Sequence, residues 1–152
     1  MNFTTEDIKK LREETGAGMM DCKKCLEKAA GDYQQALDLV YRSGIAKAEK
    51  KQDRETKEGY IASYVHANFK IAALVEVLCE TDFVAKNNDF QSMARDVAMQ
   101  VAACNPSTVE ELLGQEFIKN PSITIEELVK RTSGKIGEKF VLNRFVRYEV
   151  GA

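Results

Sequence analysis

Cys79-Glu80-Thr81-Asp82-Phe83-Val84-Ala85-Lys86-Asn87 is the stretch at which the hydrophobic period of the chain changes. Before it, Lys70 to Cys79 alternate apolar residues at every second position, the pattern of a β-strand. After it, from about Asn88, apolar residues recur at three and four, the pattern of an amphipathic helix. The stretch is therefore a strand-to-helix corner, the kind of connection on which function is commonly carried. Thr81 suits an N-cap, its hydroxyl accepting from a backbone N–H two or three residues on, and Asp82 then falls in the first turn, where the helix dipole favours negative charge. Phe83 comes out at the edge of the corner, either folded back into the core or offered to a partner.

Downstream, Phe90, Met93, Ala94, Val97, Ala98, Val101 and Ala102 form one helical face that ends at Asn105-Pro106. Thr108 with Glu111, and Thr124 with Glu127, are capping-box patterns that open short helices at 109–113 and from 125 to about 134, with a loop expected over 115–122. From Phe140 to Val150 the period returns to two, with Phe140, Leu142, Arg144, Val146, Tyr148 and Val150 on one face of a third strand. Upstream, Tyr60 to Ala67 alternate as a first strand, and Asn68-Phe69 turn the chain into a β-hairpin with Asn68 as the expected left-handed residue.

Further towards the start, the chain punctuates itself into three short helices. Thr4 or Thr5 caps the first, which carries Ile8 and Leu11 and stops at Thr15-Gly16-Ala17-Gly18. The second spans about Met20 to Ala29 and ends at Gly31; Asp32 caps the third, whose Tyr33, Ala36, Leu37, Val40 and Tyr41 repeat at helical spacing until Gly44. Residues 45–58 then turn densely and alternately charged, a solvated helix or linker. The predicted architecture is α+β: a three-helix bundle over 1–45, a charged linker or helix over 46–58, and over 59–152 a core domain whose three-stranded antiparallel sheet packs with helices.

With 152 residues the chain holds one ordinary domain, or a tiny one joined to a modest one. Hydrophobic residues at 44% and charged residues at 30% make a globular composition. The 22 basic and 24 acidic side chains leave a net charge of -2, without the basic footprint of a nucleic-acid binder, so a folded protein or small ligand is the expected partner. The longest apolar run, Ile71 to Val75, is too short for a membrane span, and no targeting segment is recognised at Met1-Asn2-Phe3, so a cytoplasmic location is expected.

Cys22-x-x-Cys25 invites a redox or zinc reading. A redox pair needs a strand before the helix that carries it, and zinc needs a second pair of ligands, which Cys79, Cys104 and the single His66 do not supply by spacing. Helical thiols packed in a small core are the expectation, and no metal or cofactor is predicted. Glu80, Asp82 and Asp89 lack the fixed spacing of a metal or acid–base cluster, and acidic residues in a first turn already answer the helix dipole. Met19-Met20, at the mouth of a helix, cannot both face one interior and suit an adaptable contact surface.

Two blocks, Thr15-Gly-Ala-Gly-Met-Met-Asp-Cys-Lys-Lys24 and Glu76-Val-Leu-Cys-Glu-Thr-Asp-Phe-Val-Ala-Lys-Asn87, closely resemble the elongation factor Ts family of translation factors. Gly31-Asp32, Tyr64-Val-His66, Ala98-Met-Gln-Val-Ala-Ala103 and Ile136-Gly-Glu138 with Arg144-Phe-Val-Arg147 extend the resemblance from about Ile8 to Gly151. It implies a ubiquitin-associated-like N-terminal domain and a guanine-nucleotide exchange factor for elongation factor Tu, with no bond-making chemistry and no direct nucleic-acid or membrane contact. Arg12, Met19, Met20 and Lys23 match the residues by which such a domain grips the partner's GTP-binding domain. Thr81, Asp82, Phe83 and Val84 match the family's intruding turn, which wedges the phenylalanine between partner helices near the magnesium and phosphate site. The helix from Asn88 completes its apolar face without Phe83, which fits that role.

The chain departs from the family at Ala67-Asn68-Phe69, where a glycine-rich turn is usual, and at Cys25, where alanine is more common. Its short 106–123 region and its end at Ala152, without a second core repeat, resemble members with a single core module. Such members pair, which implies a homodimer through the core domain. A ubiquitin-associated-like interaction module on a dimerising domain, without exchange activity, is the alternative function, and thiol redox chemistry ranks behind both.

Overall fold

The computed structural model describes residues 2–152. Three helices, α1 (Thr5–Thr15), α2 (Met19–Lys28) and α3 (Tyr33–Glu49), are followed by a hairpin of β1 (Glu58–Val65) and β2 (Ile71–Cys79). Then come α4 (Asp82–Ala85), α5 (Asn88–Cys104), α6 (Val109–Gly114), a small hairpin of β3 (Glu116–Phe117) and β4 (Asn120–Thr124), α7 (Ile125–Ile136) and β5 (Val141–Glu149). The architecture is α+β, with a three-stranded antiparallel sheet in the order β1-β2-β5 packed with helices.

Local chemistry sets the helix starts. Thr4 and Asp7 form a capping box at α1, Asp32 accepts from Gln35 N at α3, and Thr108 and Thr124 cap α6 and α7. The first three helices close over Ile8, Leu11, Cys22, Leu26, Ala29, Ala36 and Val40. A second cluster lies between the inner face of the sheet and α5, where Phe90, Met93, Ala94, Val97, Ala98 and Val101 meet Ala62, Ala73, Val75 and Val77. Phe90 packs edge-on to Phe140, with ring centroids 4.8 Å apart.

Four local expectations are corrected. The third helix does not stop at Gly44 but continues to Glu49, because at Gly44 it crosses α7 rather than ending. The 115–122 segment is not a loop. It makes the β3–β4 hairpin, stapled by the buried Gln100, whose amide donates to the Glu116 carbonyl at 3.0 Å and accepts from Ile118 N at 3.0 Å. Pro121 is tolerated because β4 pairs on one side.

At the β1–β2 turn the left-handed residue is Phe69 (φ 59°), not Asn68. Asn68 spends its side chain accepting from Lys70 N at 3.0 Å, and Phe69 N donates to the His66 carbonyl at 2.8 Å, which pushes the positive φ one residue on. Finally, Leu142 does not share a face with Arg144, Val146 and Tyr148. Glu76 pairs with Arg144 while Val77 pairs with Leu142, so Asn143 is an extra residue on β5. This β-bulge lets both Leu142 and Phe145 face inward.

The outer sheet face is apolar for a surface that looks away from the helices. Ile61, Val65, Leu74, Val146 and Tyr148 are exposed there, around the Glu76–Arg144 ion pair.

The bundle and the core meet where α3 crosses α7. A Cβ on Gly134 would stand 2.6 Å from the Gly44 Cα, so the two backbones touch. Arg131 covers the Tyr41 ring at 4.1 Å and Lys130 pairs with Glu49 at 3.1 Å on either side of this crossing.

Candidate functional site

The 79–87 corner is built as its residue types dictate. Thr81 has extended backbone and its hydroxyl accepts from Val84 N at 3.3 Å, which opens the single turn of α4. Asp82 lies in that turn and pairs with Lys86 at 2.7 Å, four residues on; this bond raises the Lys86 ammonium above its ordinary value. Asn87 then accepts from Asp89 N and Phe90 N, starting α5 in a new direction. Two caps six residues apart leave α4 as a separate turn that projects between strand and helix.

Within it the apolar residues divide. Val84 is 5% exposed and Ala85 is likewise buried in the core cluster, whereas Phe83 is 83% exposed. The side chain of Val84 therefore anchors the turn from inside, and Phe83 is the group the turn presents. A phenylalanine so exposed, on a turn whose other apolar residues are inside, leaves its ring available for contact with another surface.

The rear of the turn is held by groups distant in sequence. The Glu138 carboxylate accepts from Glu80 N and Thr81 N, each at 3.0 Å, and from the Thr81 hydroxyl at 2.7 Å. Glu80 in return accepts from Lys139 N at 3.1 Å and pairs with Arg54 at 3.4 Å. The Cys79 thiol donates to the Thr81 carbonyl at 3.3 Å; burial first, then the nearby Glu138 charge, push this thiol up to about 11, so it stays neutral. Glu138 and Lys139 were not among the expected site residues. The sequence signals there are Gly137, which ends α7 with φ 95°, and the Ile136-Gly-Glu138 match, neither of which points to the corner at Thr81.

The other expected contact residues lie on the bundle. Arg12 is exposed on α1, Met19 and Met20 open α2 with Met20 63% exposed, and Lys23 pairs loosely with Glu27 at 4.0 Å one turn along. These four and the α4 turn are two separate surfaces, since α4 packs on β1, β2 and α5 while α1 and α2 pack on each other and on α3. Lys135 spans the space between them. Its stem lies against Gly16, in the turn before Met19, and its ammonium pairs with Asp89 at 3.1 Å, in the first turn of α5.

Beside Lys135, a crevice of about 380 Å³ separates bundle from core. Of the cations lining it, Lys47 pairs with Asp21 at 3.0 Å and Lys135 with Asp89, while Arg131 lies over the Tyr41 ring with its buried Nε left without a hydrogen-bond partner among the described residues. Cys22 and Cys25 are free thiols on α2, and burial raises both, the opposite of what an activated thiolate needs. His66 Nδ1 shares a hydrogen bond with the Tyr64 hydroxyl at 3.0 Å. No helix among the described residues is long and apolar enough to cross a membrane.

Residues 80–152, which include the α4 turn and its clamp, match the family model described as elongation factor TS. The chain is also similar over its length to curated proteins named elongation factor Ts. One from Thermodesulfovibrio yellowstonii is 38% identical, covering 99% of this chain and 98% of that protein. One from Herpetosiphon aurantiacus is 38% identical over the whole of both, and one from a Synechococcus strain is 41% identical over 95% of this chain and 86% of its own length. The first alignment runs over 195 positions against the 152 residues here, so at least 43 positions of that relative have no residue opposite.

Proposed function

The chain belongs to the elongation factor Ts family of translation elongation factors, and from that premise we propose that it is a guanine-nucleotide exchange factor acting on elongation factor Tu by protein contact alone. The observation that carries this reading is Phe83, 83% exposed on a capped turn whose neighbours Val84 and Ala85 are buried. In this mechanism Asp82 and Phe83 enter the partner near its magnesium and phosphate site, while Arg12, Met19, Met20 and Lys23 hold its GTP-binding domain.

Exchange by contact is reciprocal coupling: a factor that binds the nucleotide-free partner more tightly than the nucleotide-bound one must weaken nucleotide by the same ratio. Burying a phenylalanine side chain contributes about 2–3 kcal/mol. If that is gained only in the nucleotide-free complex, nucleotide loosens by roughly tenfold to a hundredfold. The factor forms and breaks no bond, takes no cofactor and contacts no nucleic acid directly, and its place is the cytoplasm.

Two functional units serve this action, the ubiquitin-associated-like bundle of 1–45 and the core of 59–152, joined through 46–58. The core also pairs with a second copy of the chain, outer sheet face to outer sheet face. That pairing is supported by the exposed Ile61, Leu74, Val146 and Tyr148, since a solvated antiparallel sheet is ordinarily polar on its free side.

The test is release of fluorescent GDP from elongation factor Tu. The wild-type chain accelerates release, and Phe83→Ala loses roughly tenfold or more of the acceleration. Release that is not accelerated at all would refute exchange activity; full acceleration by Phe83→Ala would refute the wedge.

A further inference from the structure

We propose that Glu138 is the positioning residue of the exchange site, a carboxylate that fixes the α4 turn so that Phe83 projects. This deepens the exchange reading and rests on it. Three donors converge on the one side chain, Glu80 N and Thr81 N on Oε1 and the Thr81 hydroxyl on Oε2. The last bond matters for direction. By donating its proton to Glu138, the Thr81 hydroxyl keeps its lone pairs turned to Val84 N, the bond that starts α4. Without the carboxylate the hydroxyl is free to rotate, and both orphan N–H groups at 80 and 81 open to solvent.

The clamp is reciprocal and anchored. Glu80 accepts from Lys139 N, so segments 80–81 and 138–139 each cap the other's backbone. The Glu138 carbonyl accepts from the Ser133 hydroxyl at 2.5 Å, a buried residue of α7, and Gly137 in the left-handed region turns the chain to bring Glu138 back over the corner. One residue beyond Ser133, Gly134 is the point at which α7 lies against α3. One helix therefore seats the bundle and carries the anchor of the wedge, and Phe83 is held in a frame shared with Met19, Met20 and Lys23.

Hydrogen exchange and GDP release test this together. In Glu138→Ala, amides 81–86 exchange faster than in wild type while those of α5 and α1 do not. Release from elongation factor Tu slows roughly tenfold in the wild-type background but less than about twofold in the Phe83→Ala background, because the two changes remove one action. Glu138→Gln keeps a carbonyl acceptor for the two N–H groups but sets an amide donor, not an acceptor, against the Thr81 hydroxyl, so both readouts fall between those of wild type and Glu138→Ala.

Equal slowing in the two backgrounds, unchanged exchange at 81–86, or a Gln variant no better than Ala with exchange raised throughout the fold would overturn the proposal. Failure of the wedge itself is distinguishable. It is seen as Phe83→Ala releasing nucleotide at the wild-type rate, whereas failure of the clamp leaves Phe83→Ala slow and Glu138→Ala fast.

Discussion

Two glycines face each other where α3 crosses α7, yet alanine is expected to have opposite effects at them. A Cβ on Gly134 would lie 2.6 Å from both Gly44 Cα and its carbonyl carbon, where carbon atoms ordinarily stand about 3.5–4.0 Å apart. Relief requires the helices to part by roughly 1 Å, because the obstacle is backbone and has no rotamer to change. Overpacking of this kind costs about 1–3 kcal/mol, against about 1 kcal/mol gained by alanine over glycine in a helix, so Gly134→Ala destabilises by about 2 kcal/mol at the backbone-limited end. A Cβ on Gly44 points elsewhere, 3.9 Å from Gly134 Cα and 4.0 Å from the Arg131 carbonyl, which is ordinary contact. Gly44→Ala therefore keeps the helix gain of about 1 kcal/mol. For a chain of this length the thermal midpoint falls by about 4–8 °C in the first variant and rises by about 2–4 °C in the second. Circular dichroism melts of the two proteins, run with urea unfolding, measure both. Shifts of the same sign, or a Gly134→Ala protein as stable as wild type, would refute the close crossing and with it the shared frame of the two contact surfaces.

The outer sheet face gives a second expectation: Leu74→Glu sets a charge at the centre of the proposed dimer contact and yields a monomer in sedimentation, while a wild-type mass that stays monomeric at every concentration removes the dimer altogether. Phe69 holds a positive φ that costs a residue with a Cβ about 1–2 kcal/mol; Phe69→Gly recovers that less the about 0.5–1 kcal/mol of extra glycine entropy, so urea unfolding shows a gain of up to about 1.5 kcal/mol, and a loss of stability would mean that Phe69 makes contacts that outweigh its strain. Cys79 keeps its proton in the folded chain up to about 11, above the ordinary thiol value of 9.0. Between those values the unfolded chain sheds the proton and the folded one does not, so stability is unaffected by this thiol below pH 9 and falls as pH rises towards 11. Unfolding midpoints taken across that window decline less steeply in Cys79→Ala, and equal slopes would contradict a buried neutral thiol.

What the sequence revealed, and what it withheld, divides by distance along the chain. The α5 face from Phe90 to Ala102, the caps at Thr81, Thr108 and Thr124, and the three sheet strands were legible because each is written within one turn or one period of its own segment. The hairpin turn was misread by one position because Asn68 had two uses, and its side-chain bond to Lys70 N won over its tolerance of positive φ. The bulge at Asn143 left no trace in an alternation that looked regular, since it is set by pairing with Glu76, to which the Asn143 amide donates at 2.7 Å.

At the site itself, Thr81 and Asp82 were readable from helix-end chemistry. Glu138 fell in a motif matched to the family, but its role was not readable, because its partners stand 57 and 58 residues away and no local pattern joins it to them. That missing half bears directly on why Phe83 faces outward. From Thr81 to Asn87, Thr81 is held by Glu138, Asp82 by Lys86, Val84 and Ala85 by the core, and Asn87 by the start of α5. Phe83 alone in this run has a large apolar side chain left to solvent, and a turn fixed by contacts at so many points does not relax to bury it. The exposure is thus a property of the clamp as much as of the phenylalanine.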